Sequence, residues 1–522
     1  MSNKKKEYKV IDLFAGPGGL AEGFSSVLLN GNRRFSIELS IEKDDSAHKT
    51  LLLRSFCRQF KKGELPPEYY QAICLNDINE RERRIEALFG LFPQQAQSAK
   101  SEALKFELGK DSNDFLDNKI EGIVEGSKDW VLIGGPPCQA YSMAGRARVG
   151  GISSEDHRVY LYKEYLRVIA KHSPAVFVME NVKGLLSAKV EGKSVFQMML
   201  DDLSAPYAVT GDSRRTKYKI YSLVKEKIDS PRDFVINSED FGIPQKRHRV
   251  ILIGVREGIH RTPKKLKKFP RSVNIDDVIN DLPPIRSGLN RCFDKYVVSK
   301  KNKRIRKYRK VIDTDSEWCT IMNSCISDLI RLNGFSPDDL YRLESPINGT
   351  GGEFIEINND PSSLSIHDSW YVDKNLKGVL NHQSRSHLTQ DLKRYLFSTI
   401  YTEKHQKFPR MTDFKEHSSE LLPDHFSADS GNFTDRFRVQ QRGLPATTIT
   451  SHISKDGHYF IHYDKTQVRS LTVREAARIQ TFPDNYLFRG SRTMQYHQVG
   501  NAVPPYLAYQ IAEIVLGILD VQ

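Results

Sequence analysis

The chain has 522 residues, 39 % hydrophobic and 27 % charged, a balance that suits a globular protein with room for two to four domains. Lys and Arg number 78 against 65 Asp and Glu, so the net charge of +13 suits a polyanionic partner without naming one. Six cysteines, at 57, 74, 138, 292, 319 and 325, form no Cys-x-x-Cys pair, and no stretch reaches the ~18 apolar residues of a membrane span. These features argue against a disulfide scaffold, a zinc site, a bound metal or a membrane protein, and the expected location is the cytoplasm.

Short apolar runs at Lys9–Phe14, Phe35–Ile41, Trp130–Ile133, Ala175–Met179 and Val250–Gly254 read as buried strands. Helical patterns at Ala21–Leu29, Asp45–Phe56 and Val159–Lys171 lie between them, which predicts an α/β fold with a doubly wound, mostly parallel sheet. The polar segment Glu80–Glu125 interrupts this rhythm and reads as a helical insertion. Composition changes after Arg256: residues 261–310 carry Lys264–Lys268 and the run Lys300–Lys310, and residues 311–440 look loop-rich. Regular patterning returns near Thr447, and a last helix is expected over Pro505–Leu519. The outline is a first domain over 1–258 that includes the insertion at 80–125, a second, smaller, irregular domain over 259–440, and a return to the first over 441–522.

Asp12-Leu13-Phe14-Ala15-Gly16-Pro17-Gly18-Gly19 follows the first strand and opens a helix, where glycines let a ligand approach the backbone. The spacing is not Gly-x-Gly-x-x-Gly, so a nucleoside with an amino-acid tail fits better than a dinucleotide. Glu42, ending the second strand, suits two ribose hydroxyls, and Asp77-Ile78 is expected to close the third strand against an adenine. After the fourth strand comes Gly134-Gly135-Pro136-Pro137-Cys138-Gln139. A lone cysteine is usually a small buried hydrophobe. Here two prolines stiffen a loop at the carboxyl edge of the sheet, where ligands of open α/β folds bind, and that favours a nucleophile. Glu180 ends the next strand, where a carboxylate needs a partner. Arg247 and Arg249 alternate into Val250–Gly254 and are expected to point together at one site. His382 and His387 do not share a helix face and read as structural or DNA-facing rather than as metal ligands.

With these residues in place the sequence resembles the DNA (cytosine-5) methyltransferases of bacterial and phage restriction–modification systems. The motifs that match are Asp12–Gly19, Pro137-Cys138-Gln139, Glu180-Asn181-Val182, Gln245-x-Arg247-x-Arg249 and Gln498-Val499-Gly500-Asn501-Ala502-Val503-Pro504. The resemblance covers about 8–258 and 434–515 and places the target-recognition domain between them. The gap from Asp77 to Cys138 is longer than the family's usual one. The resemblance implies a Rossmann-like methyltransferase fold and S-adenosylmethionine as methyl donor, held by Phe14, Ala15, Gly16, Gly18, Gly19, Leu20, Glu42, Asp77, Ile78, Pro136, Asn501 and Val503. It also implies catalysis by Cys138, Glu180, Arg247 and Arg249 on a cytosine flipped out of duplex DNA. Ser142, Arg146 and Arg148 would meet DNA from a closing loop over Met143–Ser154. The expected partner is double-stranded DNA, with a monomeric enzyme and a restriction endonuclease that acts on the same sequence without a stable complex. Two alternatives stay open: an RNA (tRNA) cytosine methyltransferase, and a catalytically silent DNA-binding module. The basic insert reads as DNA backbone contact plus base readout in the major groove, and for residues 298–310 this competes with a solvated charge run or a disordered linker.

Overall fold

The computed structural model describes residues 6–137, 157–190, 192–298, 304–332, 335, 342–357, 364, 366–423 and 435–520. Strand β1 (Tyr8–Leu13) is buried at every position but Lys9, as a strand covered on both faces must be. It turns into helix α1 (Gly19–Ser25), then β2 (Phe35–Glu42) and α2 (Asp45–Arg58), whose first turn is capped by Asp44 accepting from Ala47 N at 2.9 Å. Three helices follow before the next strand: α3 (Pro67–Ile73), α4 (Ile78–Leu91) and α5 (Pro93–Glu102). The chain continues through β3 (Ala103–Lys105), α6 (Asn113–Val124), β4 (Val131–Gly134), α7 (His157–His172), β5 (Val176–Val182) and α8 (Val195–Ser204). It then forms β6 (Tyr218–Tyr221), β7 (Val235–Asn237), β8 (Gln245–Lys246) and β9 (His248–Arg256).

The eight-stranded sheet runs β6-β9-β5-β4-β1-β2-β3, with β7 also on β9. From β3 to β5 the neighbours are parallel, while β9 lies antiparallel to β5. Side chains of α6 and α7, such as Ile120 and Tyr165, pack on one face with Trp130 and Phe177. On the other face α1 contributes Phe24, beside Leu507, Ile511 and Val515 of the last helix. The chain leaves β1 for β2 and β3 and comes back to β4, so the carboxyl ends of β1 and β4 diverge into a crevice.

The expectations for the segment between β2 and β4 need correcting. Residues 80–125 are largely helical, but they hold β3, which pairs in parallel with Ser40–Glu42, and α6, an ordinary covering helix. The additional helices are α3 to α5. Asp77 and Ile78 therefore do not close the third strand. Asp77 caps α4, accepting from Glu80 N at 2.8 Å, and Ile78 is exposed. A three-residue strand is too short to show a period in the sequence.

The second half is built from small pieces: β10 (Gly288–Leu289), β11 (Arg291–Val298), β12 (Arg304–Lys310), α9 (Asp315–Arg331), β13 (Gly351–Glu356), β14 (Gly378–Gln383), β15 (Ser386–His387) and α10 (Thr389–His405). They pair as β11–β12, β13–β14 and β10–β15. Where loops were expected, α9 and α10 enclose a core of Trp318, Met322, Leu329, Leu392, Tyr395 and Leu396. β16 (Ala446–Thr447) joins β8 in parallel, and α11 (Val473–Ile479), α12 (Arg492–Asn501) and α13 (Pro505–Leu519) complete the chain. Among the described residues one helical stretch, Arg492–Leu519, is long and apolar enough to cross a membrane. Pro504-Pro505 divides it, and Leu507, Ile511 and Val515 are fully used as core.

The additional helices wedge the two halves together. Glu353 of β13 takes Arg81 of α4 through both terminal nitrogens at 3.1 Å, Asn381 of β14 at 2.9 Å and Gln495 of α12 at 3.3 Å, all buried. Leu53, Phe56, Ile85 and Leu88 share one apolar core with Leu376, Leu380 and Leu487. His382 and His387 prove structural. His382 lies 2.9 Å from both Thr472 Oγ1 and Pro283 O, and burial pushes its pKa down to about 4 and that of His387 to about 3.

Candidate active site

The glycine turn sits at the carboxyl end of β1, inside the crevice. Phe14 has φ 61° and is half-buried, and Ala15 N donates to Ile41 O of β2 at 2.9 Å. Gly16 N donates to Glu42 Oε2 at 2.8 Å, while Asp44 N reaches the other Glu42 oxygen at 2.7 Å. Burial raises the Glu42 pKa, against these backbone donors that lower it. Each carboxylate oxygen keeps a lone pair for a further donor such as a ribose hydroxyl. A Cβ on Gly16 would meet nothing within 4 Å, so there is open space over the turn. A Cβ on Gly19 would lie 2.3 Å from Val503 O, so the segment after α12 closes directly on the turn and excludes any side chain there. Leu20 is buried beneath, and Gly18 adopts φ 98°. Of the segment that closes the site, Val503 is buried and Asn501 is exposed. These groups fit an adenosyl amino acid: a carboxylate for the ribose, free space above backbone amides, and a helix N-terminus. Beyond Glu42 the end of β3 lies alongside, where Phe106 N donates to Glu42 O at 3.2 Å, while Asp77 and Ile78 belong to the start of α4.

Glu180 stands on β5 where it pairs with Ile251 of β9, and Arg249 stands opposite Val182. Arg249 Nε meets Glu180 Oε1 at 2.9 Å, with both side chains mostly buried. The loop after β4 passes alongside: a Cβ on Gly135 would lie 3.3 Å from Glu180 Oε2, and Pro136 is buried. The glycine turn, the Gly135–Pro137 loop and the Glu180–Arg249 pair therefore lie on adjacent strands β1, β4, β5 and β9. Cys138, Ser142, Arg146 and Arg148 lie outside the described residues.

Arg247 departs from the expectation of two arginines on one face. A break in pairing separates β8 from β9 at this residue, so strand alternation does not carry through it. Its guanidinium is buried and donates to Ile449 O at 2.8 Å and Gly500 O at 3.3 Å. Burial and the nearby Arg249 both push its pKa down. Gln245 does similar work: Nε2 donates to Ile479 O at 3.0 Å and Gln480 Oε1 at 2.7 Å, and Oε1 accepts from Ile449 N at 3.0 Å. Arg247 and Gln245 thus stitch the returning segment 446–503 to the sheet. Their partners, hundreds of residues away, leave no trace in local sequence.

A central parallel order of β3-β2-β1-β4-β5 with an antiparallel β9, and a glycine turn under Glu42, define a Rossmann-like methyltransferase fold. A family model for the C-5 cytosine-specific DNA methylases matches residues 102–516. The type II methyltransferase M.Bpa9945I of Bacillus paralicheniformis is 31 % identical, over 98 % of this chain and 99 % of its own. M.AgeI of Thalassovita gelatinovora, also a type II methyltransferase, is 25 % identical over 97 % and 99 %. A solved structure of a prophage-encoded protein of E. coli, described as a DNA modification methyltransferase, has the same fold at a TM-score of 0.50 and 18 % identity, covering 98 % and 99 %. The chain belongs to the C-5 cytosine-specific DNA methylase family. It is an enzyme that methylates cytosine at C5 in DNA.

Proposed function

We propose that the chain methylates one cytosine within a specific duplex sequence, through a covalent bond from Cys138 to C6 of the flipped-out base. The observation that carries this is the Glu180–Arg249 pair, 2.9 Å apart at the carboxyl edge of the sheet and beside the loop that leads into Cys138. Cytosine C5 is a poor nucleophile until the ring loses its conjugation. Attack of the Cys138 thiolate on C6 forms the S–C bond and moves an electron pair through the ring towards C5 and N3. Glu180 holds or supplies the proton at N3, and Arg249 offsets charge at the neighbouring carbonyl O2. S-adenosylmethionine, when bound, supplies a methyl on a sulfonium that departs as a neutral thioether. Loss of the C5 proton to a base then expels the Cys138 thiolate and restores the ring.

Phe14, Ala15, Gly16, Gly18, Gly19, Leu20, Glu42, Pro136, Asn501 and Val503 would line the methyl donor, with Phe106–Leu108 taking the adenine side. Ser142, Arg146 and Arg148 would close on the DNA. Restriction–modification relatives suggest a cognate endonuclease that acts on the same sequence without a stable complex, and a monomer is the expected state. Bisulfite sequencing of duplex DNA after incubation with enzyme and methyl donor should show 5-methylcytosine at one sequence. Duplex DNA assayed beside tRNA separates this from RNA methylation. Conversion of tRNA alone, or equal methylation by Cys138→Ala, would overturn the reading.

A further inference from the structure

Residues 291–310 hold ten Lys and Arg against the single Asp294, so this one segment carries +9 of the chain's net +13. Its described parts form β11 and β12, a two-stranded ribbon that pairs with no third strand among the described residues. Such a ribbon is marginal in water and needs side-chain support. One face supplies it: Phe293 and Tyr296 lie 4.9 Å apart, Arg306 sits 5.8 and 5.7 Å from their rings, and Arg291 sits 5.5 Å from Tyr308. The remaining pattern works against folding. Lys295 stands directly opposite Lys307, and Arg291 opposite Lys310, although like charges across a ladder repel. Lys295, Lys307, Arg309 and Lys310 are exposed and make no ion pair among the described residues. Val297 and Ile305, paired across the strands, are also exposed.

The ribbon's root is fixed. Gly288 N donates to Arg385 O at 2.8 Å and Asn290 N to His387 O at 3.1 Å. Arg385 in turn donates to Ser454 O and Lys455 O at 3.0 and 2.8 Å, in the segment that begins at Thr450 against Gly500. The ribbon, about 25 Å long at ~3.3 Å per residue, is therefore anchored beside the layer that closes the active site.

We propose that this ribbon grips the sugar–phosphate backbone of duplex DNA outside the bases that are read, and that it supplies most of the enzyme's electrostatic affinity. The inference rests on the DNA-methylating activity and goes beyond it, since it separates affinity from sequence choice. Repelling cations on a supported ribbon are relieved by a polyanion, and mobile Lys and Arg contacts to phosphate carry no sequence information.

The test is a variant with Lys295→Gln, Lys307→Gln, Arg309→Gln and Lys310→Gln, compared with wild type for duplex binding across 50–300 mM salt (about 0.9 counterions are released per phosphate contact). The expected result is a salt slope shallower by about 3 to 4, with at least a tenfold higher KM for DNA near physiological salt. Turnover at saturating DNA and the bisulfite pattern should stay as in wild type. Lys295→Arg with Lys307→Arg and Lys310→Arg should keep the wild-type slope. If the quadruple variant misfolds by circular dichroism, Lys307→Gln alone decides the matter, with a slope lower by about one. An unchanged slope in a folded variant overturns the proposal, whether the surface then proves to bind RNA, protein or nothing. A changed methylation sequence also overturns it, because the ribbon would then read bases. If wild type binds DNA with the predicted slopes but leaves no 5-methylcytosine, the function fails and the grip stands.

Discussion

Arg247 and Arg249 lie two residues apart, yet their surroundings predict opposite consequences for the same substitution. Arg249→Met removes the partner of Glu180 and a cation at the reacting edge of the site. Loss of one preorganised donor of this kind costs about 10²–10³-fold in kcat, or roughly 3–4 kcal/mol. Arg247→Met instead removes a guanidinium whose hydrogen bonds go to Ile449 O at 2.8 Å and Gly500 O at 3.3 Å. A hydrogen bond to a charged group is worth about 1.5–3 kcal/mol, and the longer of the two belongs at the bottom of that range. Burying the charge is itself costly, as the depressed pKa shows, and an apolar side chain recovers part of that cost. The net loss of stability should be about 1–3 kcal/mol. Its kinetic effect should fall on the KM for methyl donor, because Gly500 leads into Val503, which closes on Gly19. Urea unfolding and steady-state kinetics, with donor and DNA varied separately, measure both. The reasoning is refuted if Arg247→Met stays as stable as wild type and loses kcat to the same degree as Arg249→Met. In that case Arg247 touches the base.

Glu180→Gln keeps the shape but not the acid, so single-turnover methyl transfer should slow by about 10²–10⁴-fold while DNA binding persists; a smaller change removes Glu180 from proton transfer. Arg81→Met leaves Glu353 buried with only Asn381 and Gln495, and should cost about 3–5 kcal/mol in urea unfolding; retention of full stability would mean that water or another group satisfies Glu353. His382 and His387, held near 4 and 3, stay neutral in the fold while unfolded histidine takes up a proton near 6.5. The stability they contribute is present above pH 6.5 and is lost progressively as the pH falls from there through about 4 for His382 and about 3 for His387. Between pH 6.5 and 5 each should cost up to about 2 kcal/mol. Thermal melting at pH 7.5, 6 and 5 checks this, and His382→Gln should flatten the slope; equal slopes would refute it.

The sequence by itself determined what depends on neighbours along the chain. Buried strands read as apolar runs, the glycine turn announced itself by spacing, and Pro136-Pro137 before Cys138 marked a stiff loop, because each is a local property. The start of α13 at Pro505 was legible for the same reason. What depends on distant partners was decided by the tertiary structure. Strand β3 is too short to carry a period, so the sequence alone assigns to a strand an Asp77 that caps a helix. Alternation pairs Arg247 with Arg249, and a break between two strands cancels it. In the sequence the ribbon of Arg291–Val298 and Arg304–Lys310 is a run of charge, since only cross-strand register sets lysine against lysine. Glu353 drew no notice in the sequence, because a buried carboxylate becomes visible only once Arg81, Asn381 and Gln495 converge on it.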